Sequence, residues 1–183
     1  MAPVQRDLHR QLHDQAHSLH ERIAKLARPL DPERLVRRPE AGGWSVGEVL
    51  EHLSTADEVY ARPLAQLTYG ARADAAAPLR EWKPTMLGRF MARALDNPRK
   101  LRAPRAFRPG TTPRNGVVED FLTRDSQFLR MMDDAASLDW RALRMRPPTI
   151  PVPLTINLGD VFNVRVIHVR RHLAQMERVV AQQ

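Results

Sequence analysis

Apolar residues recur at three- and four-residue spacing through long stretches of this chain, and that period commits most of it to amphipathic helices. Near the start, Val4, Leu8, Leu12, Ala16, Leu19, Ile23 and Leu26 trace one face of a long first helix. Pro29 and Pro32 follow, so this helix is expected to stop near Ala27. Leu30-Asp-Pro-Glu then reads as a turn, and the chain as a loop up to Gly43, broken by Pro39 and Gly42-Gly43.

A second helix has a sharp start. Ser45 and Glu48 form a capping box, in which each side chain satisfies a free backbone N–H at the helix end, and Trp44 precedes it as a hydrophobic staple. Val46, Val49, Leu50, Leu53, Tyr60, Leu64 and Leu67 supply its buried stripe, and Pro63 is expected to kink or end it. A connector from about Thr68 to Pro84 leads to a third helix over Thr85–Asn97, bearing Met86, Leu87, Phe90, Met91, Ala94 and Leu95. Asn115 is placed to cap a fourth helix that buries Val117, Phe121, Phe128 and Met131. Pro147, Pro148, Pro151 and Pro153 forbid a helix or central strand after it, and a last helix runs from Asn157 or Thr155 to Val180. No strand pattern is strong enough to build a sheet. The expectation is an all-α single domain over 1–183: a four-helix bundle with long loops or an extra short helix.

Composition narrows the function classes. With 43% hydrophobic residues a proper core is available, and the absence of cysteine excludes disulfides, thiolate nucleophiles and Cys-ligated metals. No apolar run approaches the ~20 residues needed to span a bilayer, and the N-terminal residues lack a signal-peptide core, so a cytoplasmic protein without a membrane partner is expected. The net charge of +8 invites a nucleic-acid reading, centred on the basic loop 98–114, which holds six Arg or Lys and no acid. Against it, 26 of the 29 basic residues are arginine, which suits a coding bias, and aromatics are only 5%, too sparse for base stacking. Nucleic acid is therefore not the expected partner.

His52, His168 and His172 carry the chemistry. His168 and His172 stand four apart on one helix, with Cβ atoms ~5–6 Å apart, so that two imidazoles can converge on one ion. At ~100° per residue His172 falls within the apolar stripe of the last helix and His168 on its margin, while His52 sits at the edge of the second helix's apolar face. A metal with outer acceptors would satisfy both nitrogens of such buried rings; three unrelated hydrogen-bonded histidines is the plainer alternative.

Two motifs frame these residues: Trp44-Ser-Val-Gly-Glu-Val-Leu-Glu-His52-Leu53 and His168-Val-Arg-Arg-His172-Leu-Ala-Gln175. With the segment Pro104-Arg-Ala-Phe-Arg-Pro109 between them, the chain resembles the DinB/YfiT-like superfamily. The resemblance implies a four-helix bundle with a long crossover, often dimeric, and a divalent metal held by His52, His168 and His172. Three neutral imidazoles leave a fourth position open, as in catalytic zinc sites. Metal-bound water would then serve hydrolysis, or a metal-bound substrate thiolate would serve S-transfer from a low-molecular-weight thiol. Zinc or nickel is the first expectation, and iron or manganese also accepts imidazole. The alternative is a non-catalytic, dimerising bundle with a vestigial or structural metal site.

No general base stands out. Glu48 could orient His52, but the capping box already accounts for it; Asp57 and Glu58 fall one to two turns on, and solvated surface is their plainer reading. Arg165, one turn before His168 on the apolar stripe, is either a substrate anchor or the member of a salt bridge. His9, His13, His17 and His20 line one side of the first helix, expected as a solvated flank, and Trp82 and Trp140 are expected to anchor loops.

Overall fold

A computed structural model describes residues 2–97, 102–110, 112–150 and 153–183. Helix α1 (Gln5–Ala27) ends where the prolines require, with Leu8, Leu12, Ala16, Leu19, Ile23 and Ala27 buried along one face. The next segment is not all loop. Asp31 accepts a hydrogen bond from the Arg34 N–H at 2.8 Å and Pro32 occupies the first helical position, which together nucleate the one-turn helix α2 (Pro32–Val36).

The capping box forms at the start of α3 (Val46–Thr68): the Glu48 N–H donates to Ser45 Oγ at 3.2 Å, and the Ser45 N–H to Glu48 Oε2 at 2.9 Å. Pro63 neither ends nor interrupts this helix. It forfeits one backbone bond, but Leu64 is buried and the last turn closes beyond it, through Thr68 Oγ1 to Leu64 O at 3.1 Å and the Tyr69 N–H to Ala65 O at 2.9 Å. Helix α4 (Met86–Asp96) is capped by Thr85. Helix α5 (Val117–Asp134) is entered through Gly116, whose φ of 73° is natural for glycine, and not through an Asn115 cap. Glu119 and Asp120 place negative charge in its first turn, which favours the positive end of the helix dipole in the absence of a capping side chain. The proline-rich segment holds one short ladder, β1 (Arg144–Met145) antiparallel to β2 (Ile156–Asn157), too brief to leave a periodic signal. Asn157 and Asp160 then make a second capping box for α6 (Leu158–Val180).

Helices α1, α3, α5 and α6 form the bundle: α1 lies against α5 and α6, and α3 against the same two. Residues 69–116 cross from α3 to α5 and carry α4, which docks on the outside of α6. The docking needs glycine, because a Cβ on Gly88 would fall 2.1 Å from the Asp160 carboxyl carbon, while the Thr85 N–H donates to that carboxylate at 3.1 Å. Two of α4's apolar residues, Met86 and Phe90, are 87% and 67% exposed, because only the Leu87–Met91 side meets α6. Trp82 and Trp140 pin the connections as expected, donating to Asn157 Oδ1 at 3.0 Å and Ala135 O at 2.9 Å. No helix among the described residues is long and apolar enough to cross a membrane.

Candidate metal centre

Helices α3 and α6 run antiparallel, which sets His52 beside His168 and His172 two turns from the start of one helix and two to three from the end of the other. One ligand nitrogen from each ring lies within 4.8 Å of the other two, a group that could hold a metal ion. His52 Nε2 and His168 Nε2 are 3.1 Å apart. Two nitrogens on a tetrahedral zinc at ~2.0–2.1 Å stand about 3.3 Å apart, so this spacing already fits shared coordination.

The outer nitrogens of two of the rings are held. His52 Nδ1–H donates to the Phe107 carbonyl at 2.6 Å, which leaves its Nε2 lone pair facing the cluster. His172 Nδ1–H donates to Gln175 Oε1 at 3.0 Å, three residues on along α6. Burial holds all three imidazoles below the usual histidine range, with the Phe107 bond working against the shift at His52. His168 is lowered further by the neighbouring His172 and His52 and then by Arg165 and Arg171, and His172 falls to about 3. The rings are therefore neutral near pH 7, the form that ligates metal. Trp44, half-buried, closes one side, its ring centroid 4.8 Å from that of His52 and 6.3 Å from that of His172. The other side opens onto a cleft of about 2000 Å³.

The remaining candidates are engaged elsewhere. Glu48 is a cap and an ion-pair partner: Arg38 Nε donates to its Oε2 at 2.8 Å, and among the described residues no hydrogen bond joins it to His52. Arg165 lies between Asp57, at 2.9 Å, and the fully buried Asp125, its guanidinium 4.3 Å above the Phe128 ring. Burial opposes its charge, and the two carboxylates more than offset that. The salt bridge accounts for the buried arginine. Glu58 is not free surface either; it meets Arg124 at 2.8 Å and Arg114 at 3.7 Å.

The histidine row of α1 departs from a solvated flank. His9 donates to Met132 O at 3.1 Å, His13 lies 3.4 Å from Asp133, and His20 bonds Asp125 at 2.8 Å, so three of the four bridge to α5. In the basic loop, Arg102, Arg105 and Arg108 are exposed, whereas residues 98–101 and 111, with Pro151 of the later proline-rich loop, fall outside the described residues. The loop's contribution to the site is the Phe107 carbonyl. Sequence spacing gives no sign of a backbone acceptor; only its place inside Pro104–Pro109 marks it.

Bundle, crossover and inward histidine cluster define an all-helical protein with a three-imidazole site at the mouth of a cleft. The chain belongs to the DinB superfamily, whose model matches residues 15–176 and so includes all three histidines. Neither a curated protein nor a solved structure matches the chain.

Proposed function

We propose that this protein is a divalent-metal-dependent enzyme acting on a small molecule, with His52, His168 and His172 as the metal ligands and zinc or nickel as the metal. The observation that carries the reading is the convergence of three neutral imidazole nitrogens, with no carboxylate among them, beside an open cleft. Such a donor set leaves the ion its full charge, and a bound divalent ion would supply Lewis acidity to a water or a thiol.

The chain's own residues prepare that chemistry. Phe107 O and Gln175 Oε1 fix the tautomers of His52 and His172 and aim their free nitrogens at one point. Trp44 covers one flank and limits water there. Glu48, Asp57 and Glu58 are all paired with arginines, so none of these three carboxylates is held ready as a base. That favours reactions whose nucleophile is activated at the ion itself, either hydrolysis or transfer to a low-molecular-weight thiol. The second reading, a non-catalytic dimerising bundle, draws on the exposed Met86 and Phe90 of α4.

Elemental analysis of tag-free protein tests the first step. About one equivalent of metal per chain, lost in His52→Ala and in His172→Ala, supports the site; metal-free wild-type protein after growth and dialysis with zinc or nickel rejects it. Esterase and thiol-transfer screens, with His168→Ala as control, then separate an enzyme from a scaffold.

A further inference from the structure

The cleft beside the histidines changes character along its length, and α6 forms its floor. Before the triad that floor is Val161, Val164 and Ile167, with Arg165 held in its salt bridge; beyond it come Ala174 and Val179 together with the polar Gln175, Arg178 and Gln182. At a rise of 1.5 Å per residue, Val161 lies about 10 Å from His168 along the axis, and Arg178 about 9 Å from His172 in the other direction. The histidines stand at the junction.

The walls follow the floor. Around the apolar end, α3 contributes Ala61 and Ala65, whose small side chains leave room, and α4 contributes Phe90 and Ala94. Phe90 is 67% exposed, an aromatic ring with no core to fill, yet it lines this cleft. Among the described residues the charged lining of the cleft leaves a positive excess. The three carboxylates on the lining, Glu48, Asp57 and Asp96, are already matched by Arg38, Arg165 and Arg170. Arg102 and Arg178 also line it and have no carboxylate partner among the described residues.

We propose that the cleft binds an amphipathic small molecule, its apolar body between α3 and α4, its anionic end toward Arg178, and its reacting group at the histidines between. The proposal deepens the metal-dependent reading, on which the placement of the reacting group rests. Binding itself follows from shape and charge: an apolar body removes Phe90 and the small-residue walls from water, and an anion meets Arg178, which has no carboxylate partner among the described residues.

Titration calorimetry on chelator-treated protein tests it with three probes: butyrate, dodecanoate and dodecyltrimethylammonium, all below their micellar concentrations. Dodecanoate is expected to bind at least about tenfold more tightly than butyrate, since each buried methylene adds to affinity. It is also expected to exceed the cationic probe with the same tail by a similar factor. Ala94→Trp, or Ala61→Phe on the facing wall, removes the chain-length gain, and Arg178→Ala removes the preference for the anion. Circular dichroism confirms that each variant folds.

Equal affinity for butyrate and dodecanoate overturns the proposal, as does a folded Ala94→Trp variant that keeps the gain. Absence of binding together with self-association that Phe90→Ser abolishes also overturns it, assigning the apolar wall to a second copy. Zinc titration of the same samples reads the metal centre separately: dodecanoate binding without zinc binding refutes the metal and leaves the cleft, and the converse does the reverse.

Discussion

Two helices of this protein carry histidines at four-residue spacing, and they come to opposite ends. On α6, His168 and His172 face His52 of α3, and among the described residues no acidic oxygen joins the three rings. On α1, each histidine finds an oxygen: His9 the Met132 carbonyl, with Asp133 at 3.7 Å, His13 the same Asp133, His20 Asp125, and His17, the most exposed, Glu21 at 3.8 Å. Spacing alone brings imidazoles onto one face. What makes a candidate centre is a third ring arriving from another helix, with outer acceptors that turn the inner nitrogens toward each other. On α1 three of the four histidines take oxygens from the facing helix instead, and no ring from another helix joins them among the described residues.

The contrast breaks most directly at the metal. His52→Ala or His172→Ala is expected to lower metal affinity by more than the roughly 10- to 100-fold typical of losing an outer partner. The double variant His9→Ala/His13→Ala should keep wild-type stoichiometry. Elemental analysis after dialysis decides it, and metal lost equally from both sets would mean that the α1 row is the binding site.

Stability offers the next largest effect. Arg165 joins Asp57 of α3 to Asp125 of α5, and Asp125 in turn reaches His20 of α1, so one buried chain of charges touches all four bundle helices. Arg165→Met takes the arginine from two carboxylates, leaving the fully buried Asp125 with His20 alone, and should cost about 3–5 kcal/mol in urea denaturation. His20→Ala leaves Asp125 paired with Arg165 and should cost about 1 kcal/mol or less. Comparable losses would show that the α1 contact, and not the arginine, holds the network.

Acid should also separate the two faces. The α6 cluster titrates in the folded state well below the ordinary histidine value, with His172 at about 3. Between that value and an unfolded value of about 6.5, the unfolded chain binds more protons, so the metal-free protein loses stability as pH falls through this window. Each such histidine contributes a slope of at most about 1.4 kcal/mol per pH unit. Replacing His168 and His172 with leucine should flatten the pH dependence between 6.5 and 4.5. Denaturation midpoints across that range measure it; an unchanged slope would assign the acid sensitivity to other groups.

How much of this was legible in the sequence differs by kind of interaction. The five long helices and both histidine motifs were, because apolar period, capping residues and i,i+4 spacing are local signals that packing only reinforces. Pro63 does not end its helix, because a single lost backbone bond is smaller than the burial of Leu64 beside it. Asn115 misled because a glycine one residue later could enter the helix from the left-handed region. The α1 histidines looked solvated because their partners, Asp125 and Asp133, lie more than a hundred residues away. The Phe107 acceptor was invisible for another reason: a backbone carbonyl has no letter in the sequence, and only the crossover's path brings it to His52.

That last point sets the finest test. The two outer partners of the triad are chemically different, since Gln175 acts through a side chain and Phe107 through its backbone. Gln175→Leu removes an acceptor outright. It should free the His172 ring to turn and lower metal affinity by about tenfold, with little change in global stability. Gln175→Glu keeps an oxygen in place and should restore most of the affinity. Phe107→Ala retains the carbonyl, so any weakening there must come from a looser loop, and should shrink when the loop is held by other means. If Gln175→Leu binds metal as well as wild type does, His172 needs no orienting partner, and the likeness between the two sides of the triad is only geometric.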